Sequence, residues 1–216
     1  MSSNWSKATV VVFARAPEPG RTKTRLIPLL GAEGAANLHA RLVLNSIEVA
    51  LAAGIGAVEL WCAPHTAFPF FAACARGYGI RLRAQGPGNL GVRMLRACRE
   101  TLTRAPAIVI GTDCPGYTAS YLIQARDRLA AGADAVLGPA EDGGYVLLGL
   151  RRVSPRLFQD LDWGTGSVLE ATRERLQALG WRSEELPALW DMDRPEDFSR
   201  LTADPALRHL TEPAET

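Results

Sequence analysis

The chain has 216 residues, 47% of them apolar, and a formal net charge of +1. That size and composition predict one globular domain with a substantial core, and the near-zero charge argues against nucleic acid or a membrane surface as a partner, since both usually leave a strong basic bias. No apolar run approaches the ~20 residues that span a bilayer, and the opening MSSNWSKATVVVFAR has a short apolar run that ends at Arg15 with no small-residue cleavage site after it, so a cytoplasmic location is expected.

Predicted strands and helices alternate along the chain. TVVVF (9–13) is a continuous apolar strand. Residues 32–53 put Leu38, Leu42, Val43, Ile47 and Leu51 on one helical stripe that stops at Gly54. AVELWCA (57–63) is a strand, 67–76 a short helix, and IRLRAQ (80–85) an alternating strand. After the glycine-rich QGPGNLG, residues 90–104 read as a helix and AIVIG (107–111) as a buried strand. Thr118 can cap a helix running to about Ala131. DAVLGP (134–139) and YVLLGL (145–150) are strands around the turn AEDGG. A helix over 167–179, a weak strand at 182–186 and a last helix from Pro195 follow, and the tail after about 204 is polar.

Strands separated by helices of this length predict a three-layer α/β/α domain with a mostly parallel mixed sheet covered on both faces. The pattern contains no repeat and no linker, so residues 1–216 form a single domain, with a core of about 8–201. In such sheets ligands bind at the carboxyl ends of strands. That rule selects the loops after residues 14, 85, 111, 139 and 187, which are also the loops of unusual composition.

The first of these loops, in FARAPEPGRTKTRL (13–26), has two prolines and a glycine within four residues, then Arg21, Lys23 and Arg25 at alternate positions. It is neither a Walker A loop, because Thr22 and Pro17 stand where that motif needs glycine, nor a dinucleotide fingerprint. Its parts still suit phosphate: Gly20 for a tight turn, hydroxyls on Thr22 and Thr24, and three cations. The competing reading is a solvated basic turn. If the segment is extended, alternation puts Lys23 and Arg25 on one side and the threonines on the other. Lys23 is one of only two lysines among 24 basic residues, which marks a place where a compact ammonium serves better than a guanidinium.

IVIGTDCP ends a buried strand at Asp113, placed either to hold Mg²⁺ through its carboxylate or to make an Asx turn before Pro115. In PALWDMDRPEDF, Asp193-Arg-Pro-Glu196 fits a capping box, yet the same carboxylate can pair with Asp113 in a two-carboxylate metal site. In GPAEDGGY, Gly143 and Gly144 allow either a hairpin turn or close approach of a ligand, which Asp142 or Tyr145 would face. LDWGTGSVLE offers Thr165 and Ser167 at a helix start, for capping or for an acceptor anion. Cys62, Cys74, Cys98 and Cys114 show neither C-x-x-C nor zinc spacing and read as reduced, buried thiols. Cys114 has no signature linking it to His39 or His65 as a nucleophile.

In order, PGRTKTRL, QGPGNLG, GTDCP, GPAEDGGY, WGTGSV and DMDRPEDF resemble an uncharacterised glycosyltransferase-A-like family of the rSAM/selenodomain-associated transferase type. More distantly the set is similar to phospholactate guanylyltransferases and molybdenum-cofactor guanylyltransferases. The likeness spans about residues 8–201 and departs at Asn89 and Val92, where relatives often carry Asp and Glu. It implies the nucleotide-diphospho-sugar transferase (GT-A) fold. It also implies nucleotide binding by Ala14, Gly20, Lys23, Arg25, Gln85 and Gly91, with Mg²⁺ (or Mn²⁺) on Asp113 and Asp193 and an acceptor on Asp142, Gly143, Gly144, Thr165 and Ser167. Lys23, Arg25 and Asp113 are the catalytic candidates. The expected reaction is transfer of a nucleotidyl group from an NTP to a small phosphorylated acceptor, with release of pyrophosphate. The alternatives are glycosyl transfer from a nucleotide sugar, and a nucleotide-binding domain without catalysis.

Overall fold

A computed structural model describes residues 7–211. The strands are β1 (Thr9–Arg15), β2 (Val58–Ala63), β3 (Arg81–Ala84), β4 (Ala107–Ile110), β5 (Ala135–Pro139), β6 (Tyr145–Leu150) and β7 (Ser183–Glu185). The helices are α1 (Ile27–Ala52), α2 (Pro69–Tyr78), α3 (Leu90–Leu102), α4 (Ala119–Ala130), α5 (Val168–Ala178) and α6 (Pro195–Ala203). The seven strands form one mixed sheet in the order β3-β2-β1-β4-β6-β5-β7. Only β6 runs against its neighbours, pairing antiparallel with β4 and, through the hairpin at AEDGG, with β5.

Alternation along the strands sorts the core into two faces. Val10 and Val12 of β1 pack with Ile108, Ile110, Val43, Ile47 and Leu122 on one side. Val11, Trp61, Val109 and Leu148 pack with Met94, Ala97 and Leu176 on the other. This is the predicted α/β/α layering. A third cluster joins Leu26, Leu38 and Leu42 to Trp190, Met192, Leu201 and Leu210.

Two boundaries differ from expectation. The first helix begins at Ile27, with Pro28 in its first turn, and is kinked at Gly31 (φ 72). A positive φ there breaks the helical run, which is why periodicity alone starts the helix after it. The polar tail after Asp204 continues as a 3-10 turn, Pro205–Leu210, whose Leu210 is 2% exposed. Among the described residues no helix is long and apolar enough to cross a membrane.

Strand β2 carries one buried charge. Glu59 is 1% exposed, and Arg104, Arg81 and Arg83 stand 2.8, 3.3 and 3.6 Å from its oxygens. Burial opposes the charge, but the bond to Arg104 and the charges of the three guanidinium groups outweigh it, so the carboxyl sits below its usual pKa. A depressed carboxyl stabilises the fold above its unfolded-state pKa, and that contribution disappears as pH falls through the folded-state value. Glu59→Gln is therefore expected to lower stability by about 1–2 kcal/mol at neutral pH. The gap in melting temperature should close as pH falls below the ordinary carboxylate range; a gap independent of pH would refute the ionic account.

Candidate functional site

Strands β1 and β4 lie side by side, with β2 and β3 beyond one and β6, β5 and β7 beyond the other. The chain therefore leaves their carboxyl ends in opposite directions, which opens a crevice where the strand order reverses. Val12 pairs with Ile110, so the segment after β1 and Gly111–Asp113 after β4 flank this crevice. Its third wall is the stretch from Leu189 to Asp193. That wall is anchored by backbone bonds from Leu189 to Pro139 (3.0 Å) and from Met192 to Asp113 (2.7 Å).

The basic loop is a series of turns, and the extended alternation considered from the sequence does not form. Gly20 turns at φ 77. The Thr22 hydroxyl donates to the Glu18 carbonyl at 3.0 Å, and Thr24–Leu26 is a 3-10 turn. Lys23 stands between them in the left-handed region (φ 49, ψ 42), where a side chain costs about 1 kcal/mol or more. That backbone buries its side chain to 4% exposure and sets the ammonium 2.6 Å from an Asp113 oxygen. The same ammonium donates to the carbonyl of Met192. Arg25, one turn on, pairs with Asp193. Lys23 and Arg25 thus converge on the two expected carboxylates, brought there by a tight turn.

Asp193 is not the helix cap. The cap position of α6 is Arg194, and it is Asp197 whose carboxylate accepts the amides of Arg194 (2.7 Å) and Asp193 (3.0 Å). This shift of one residue from the expected box leaves the Asp193 carboxylate facing the crevice. Partial burial opposes the charge of Asp113, but Lys23, then His39 and Arg15, hold that carboxyl below the ordinary range. Asp191 is the opposite case. Burial, together with the carboxylates of Asp113, Asp142 and Asp193, pushes it up to about 7. His39 completes this side. Nε2 donates to the Arg15 carbonyl at 3.0 Å, which leaves Nδ1 buried, without a hydrogen bond, and 3.8 Å from Asp113. Burial is the main reason its pKa lies below 6.5.

Two cavities share these walls. The first, of about 520 Å³, is lined by Ala14, Arg15, Arg21, Lys23, Arg25, His39, Gln85, Arg93 and Asp113 among others. Gln85 has both amide donors committed, to Ala14 (3.1 Å) and Trp61 (2.8 Å), and its oxygen meets Arg93 at 3.4 Å. The second, of about 410 Å³, is bounded by Asp142, Gly144 and Thr165, and also by Asp113, Asp191, Asp193 and Trp163. The remaining predicted residues support these walls. Gly91 lets Trp163 approach, since a Cβ there would lie 2.7 Å from the indole nitrogen. Gly143 (φ 89) takes the backbone of Gly166 in the same way, and Ser167 bonds Thr165 at 2.9 Å. All four cysteines are free and buried, and burial raises the Cys114 thiol far above its usual pKa.

The donor chemistry suits a hard divalent cation, because the carboxylates crowd and repel one another. Among the described residues no three His, Cys, Asp or Glu converge on one metal position. One or two carboxylates, with phosphate oxygens and water, is how Mg²⁺ is usually held.

A family profile described as uncharacterised proteins conserved in bacteria matches residues 46–165. The chain belongs to the DUF2064 family. No curated protein matches this DUF2064 chain significantly. Among solved structures, a candidate nucleotide-diphospho-sugar transferase from Desulfovibrio desulfuricans G20 is 27% identical, with a TM-score of 0.83 over 94% of this chain and 90% of that one. CMP:2-keto-3-deoxy-manno-octonic acid synthetase, solved with CTP, is 14% identical (TM-score 0.56; 92% and 98% covered). Glucosyl-3-phosphoglycerate synthase from Mycobacterium tuberculosis, solved with Mn²⁺, UDP and glucosyl-3-phosphoglycerate, is 13% identical (TM-score 0.53; 97% and 82% covered). The DUF2064 protein thus has the nucleotide-diphospho-sugar transferase fold.

Sequence reasoning did not assign His39, Arg15, Arg93, Asp191 or Trp163. His39 had a signal: it lies on the stripe of α1 that buries Ala35, Leu38, Leu42 and Val43, where an imidazole is expensive without a purpose. Carboxylates crowded for a ligand destabilise the free protein. Asp191→Asn is therefore expected to stabilise it by about 1–2 kcal/mol at pH 7.5, raising Tm by roughly 3–6 °C. A lower Tm in that variant would contradict the repulsion.

Proposed function

We propose that this DUF2064 protein transfers a nucleotidyl group from a nucleoside triphosphate to a small-molecule acceptor, with release of pyrophosphate. The protein is a transferase of the nucleotidyl or nucleotide-sugar class. The observation that carries the finer reading is the set of cations on the first cavity, Arg15, Arg21, Lys23, Arg25 and Arg93, beside two carboxylates. A triphosphate is the ligand whose charge such a wall balances.

Asp113 and Asp193 would hold Mg²⁺ or Mn²⁺, which when bound neutralises charge on phosphate oxygens. Lys23, which keeps Asp113 and has a third donor, and Arg25, whose exposed guanidinium can leave Asp193, stabilise the leaving diphosphate. The acceptor oxygen bonds to the α-phosphorus, the bond to the bridging oxygen breaks, and the electron pair leaves on pyrophosphate. Binding and charge complementarity suffice for such a step. No enzyme nucleophile is required, and buried Cys114 (1% exposed) is unsuited to be one. His39 sits behind Asp113, with Nδ1 3.8 Å from its carboxylate.

Glycosyl transfer is the second reading, favoured by the 27% identical Desulfovibrio structure named for nucleotide-diphospho-sugar chemistry. The leaving group separates the two: pyrophosphate from an NTP, or a nucleoside diphosphate from a sugar nucleotide. Asp113→Ala is expected to weaken Mg²⁺-dependent nucleotide binding at least about tenfold and to lower Tm, since it takes the carboxylate from buried Lys23, while the circular dichroism spectrum stays native because the Met192 carbonyl still accepts from that ammonium. Asp113→Asn, which keeps a hydrogen-bond acceptor for Lys23, controls for folding. Unchanged Mg-nucleotide affinity in both variants, measured by calorimetry, would sink the assignment.

A further inference from the structure

The second cavity differs chemically from the first. Its apolar wall is made by Phe13, Leu90, Met94, Tyr145, Trp163 and Val168. Leu90 is 42% exposed, a large apolar side chain at the mouth of both cavities that the core does not use. The polar wall is acidic: Asp113, Asp142, Asp191 and Asp193, against a single cation, Arg25, which already pairs with Asp193. Lys23 balances Asp113 from the first cavity. Among the described residues Asp142 and Asp191 have no ion-pair partner; Asp142 accepts only the Gly144 amide, at 2.9 Å.

A phosphorylated acceptor would bring further negative charge to this wall, where the divalent cation that Asp113 and Asp193 would hold is already claimed by the nucleotide's phosphates and no unpaired guanidinium or ammonium remains to receive it. Like charges at such separations repel strongly where water is displaced. An uncharged polyol fits both walls. Its C–H faces lie on aromatic and aliphatic side chains, and its hydroxyls donate to carboxylates, the stronger class of hydrogen bond.

Resting on the nucleotidyl-transfer reading, we infer that the acceptor is an unphosphorylated polyol of the sugar or cyclitol class, seated on Trp163 with its hydroxyls on Asp142 and Thr165. The attacking group is then a hydroxyl. Its oxygen bonds to the α-phosphorus as pyrophosphate leaves with the electron pair of the broken bond, and its proton passes to the Asp142 carboxylate.

The whole chain is titrated with phenyl β-D-glucoside and myo-inositol, and in parallel with glucose 6-phosphate, in Mg²⁺ with each of the four common NTPs. Calorimetry and tryptophan fluorescence are read together. A neutral polyol is expected to bind at least about tenfold more tightly than the phosphate ester, with Asp142→Asn weakening it by a similar factor. Trp163→Phe should remove the fluorescence change while calorimetry still detects binding. Equal or tighter binding of glucose 6-phosphate would overturn the inference. So would NTP binding with no polyol binding at millimolar concentration, or polyol binding indifferent to both variants. Polyol binding without NTP binding or pyrophosphate release would instead strike the nucleotidyl-transfer reading and leave the second cavity's assignment standing.

Discussion

Everything at the rim of this sheet depends on one buried ammonium. Lys23 is 4% exposed and meets a carboxylate after β4 and a carbonyl of the segment before α6. An unpaired ammonium at that depth would be costly, so the three chain segments are held wherever its donors are satisfied. The left-handed backbone at Lys23 is the local expense of that arrangement. A guanidinium fork is larger and planar and would need a different set of partners.

Around this point positive and negative charge are separated. Cations gather toward the first cavity and unbalanced carboxylates toward the second, with Arg25 on the boundary between them. Such a division favours anions at the first cavity and opposes them at the second. On the acidic side Asp191 is pushed up to about 7 by burial and by its carboxylate neighbours.

The fold was largely legible because buried parallel strands are continuous apolar runs and their helices end in recognisable signals, as at Thr118, whose side chain accepts the Tyr121 amide. Composition after the strands singled out Lys23, Arg25, Asp113 and Asp193, and the fold brings these four side chains together. What sequence spacing missed was conformational or remote. The loop folds as turns because Lys23 adopts positive φ, which no rule for lysine anticipates. The cap of α6 slid to Arg194 because Asp197 reaches both amides. His39 and Trp163 enter through packing, and no local motif encodes which helix face meets which loop.

The cluster beneath the basic loop also bears on the order in which the protein takes shape. Leu26 follows β1, but Trp190, Met192, Leu201 and Leu210, which close over it, come after the last strand of the sheet in chain order. The Arg41 side chain likewise waits for the carbonyl of Leu210, 3.2 Å away. The sheet can assemble progressively during synthesis, whereas the rim that carries the basic loop is completed only after α6 and the turn that follows it have emerged.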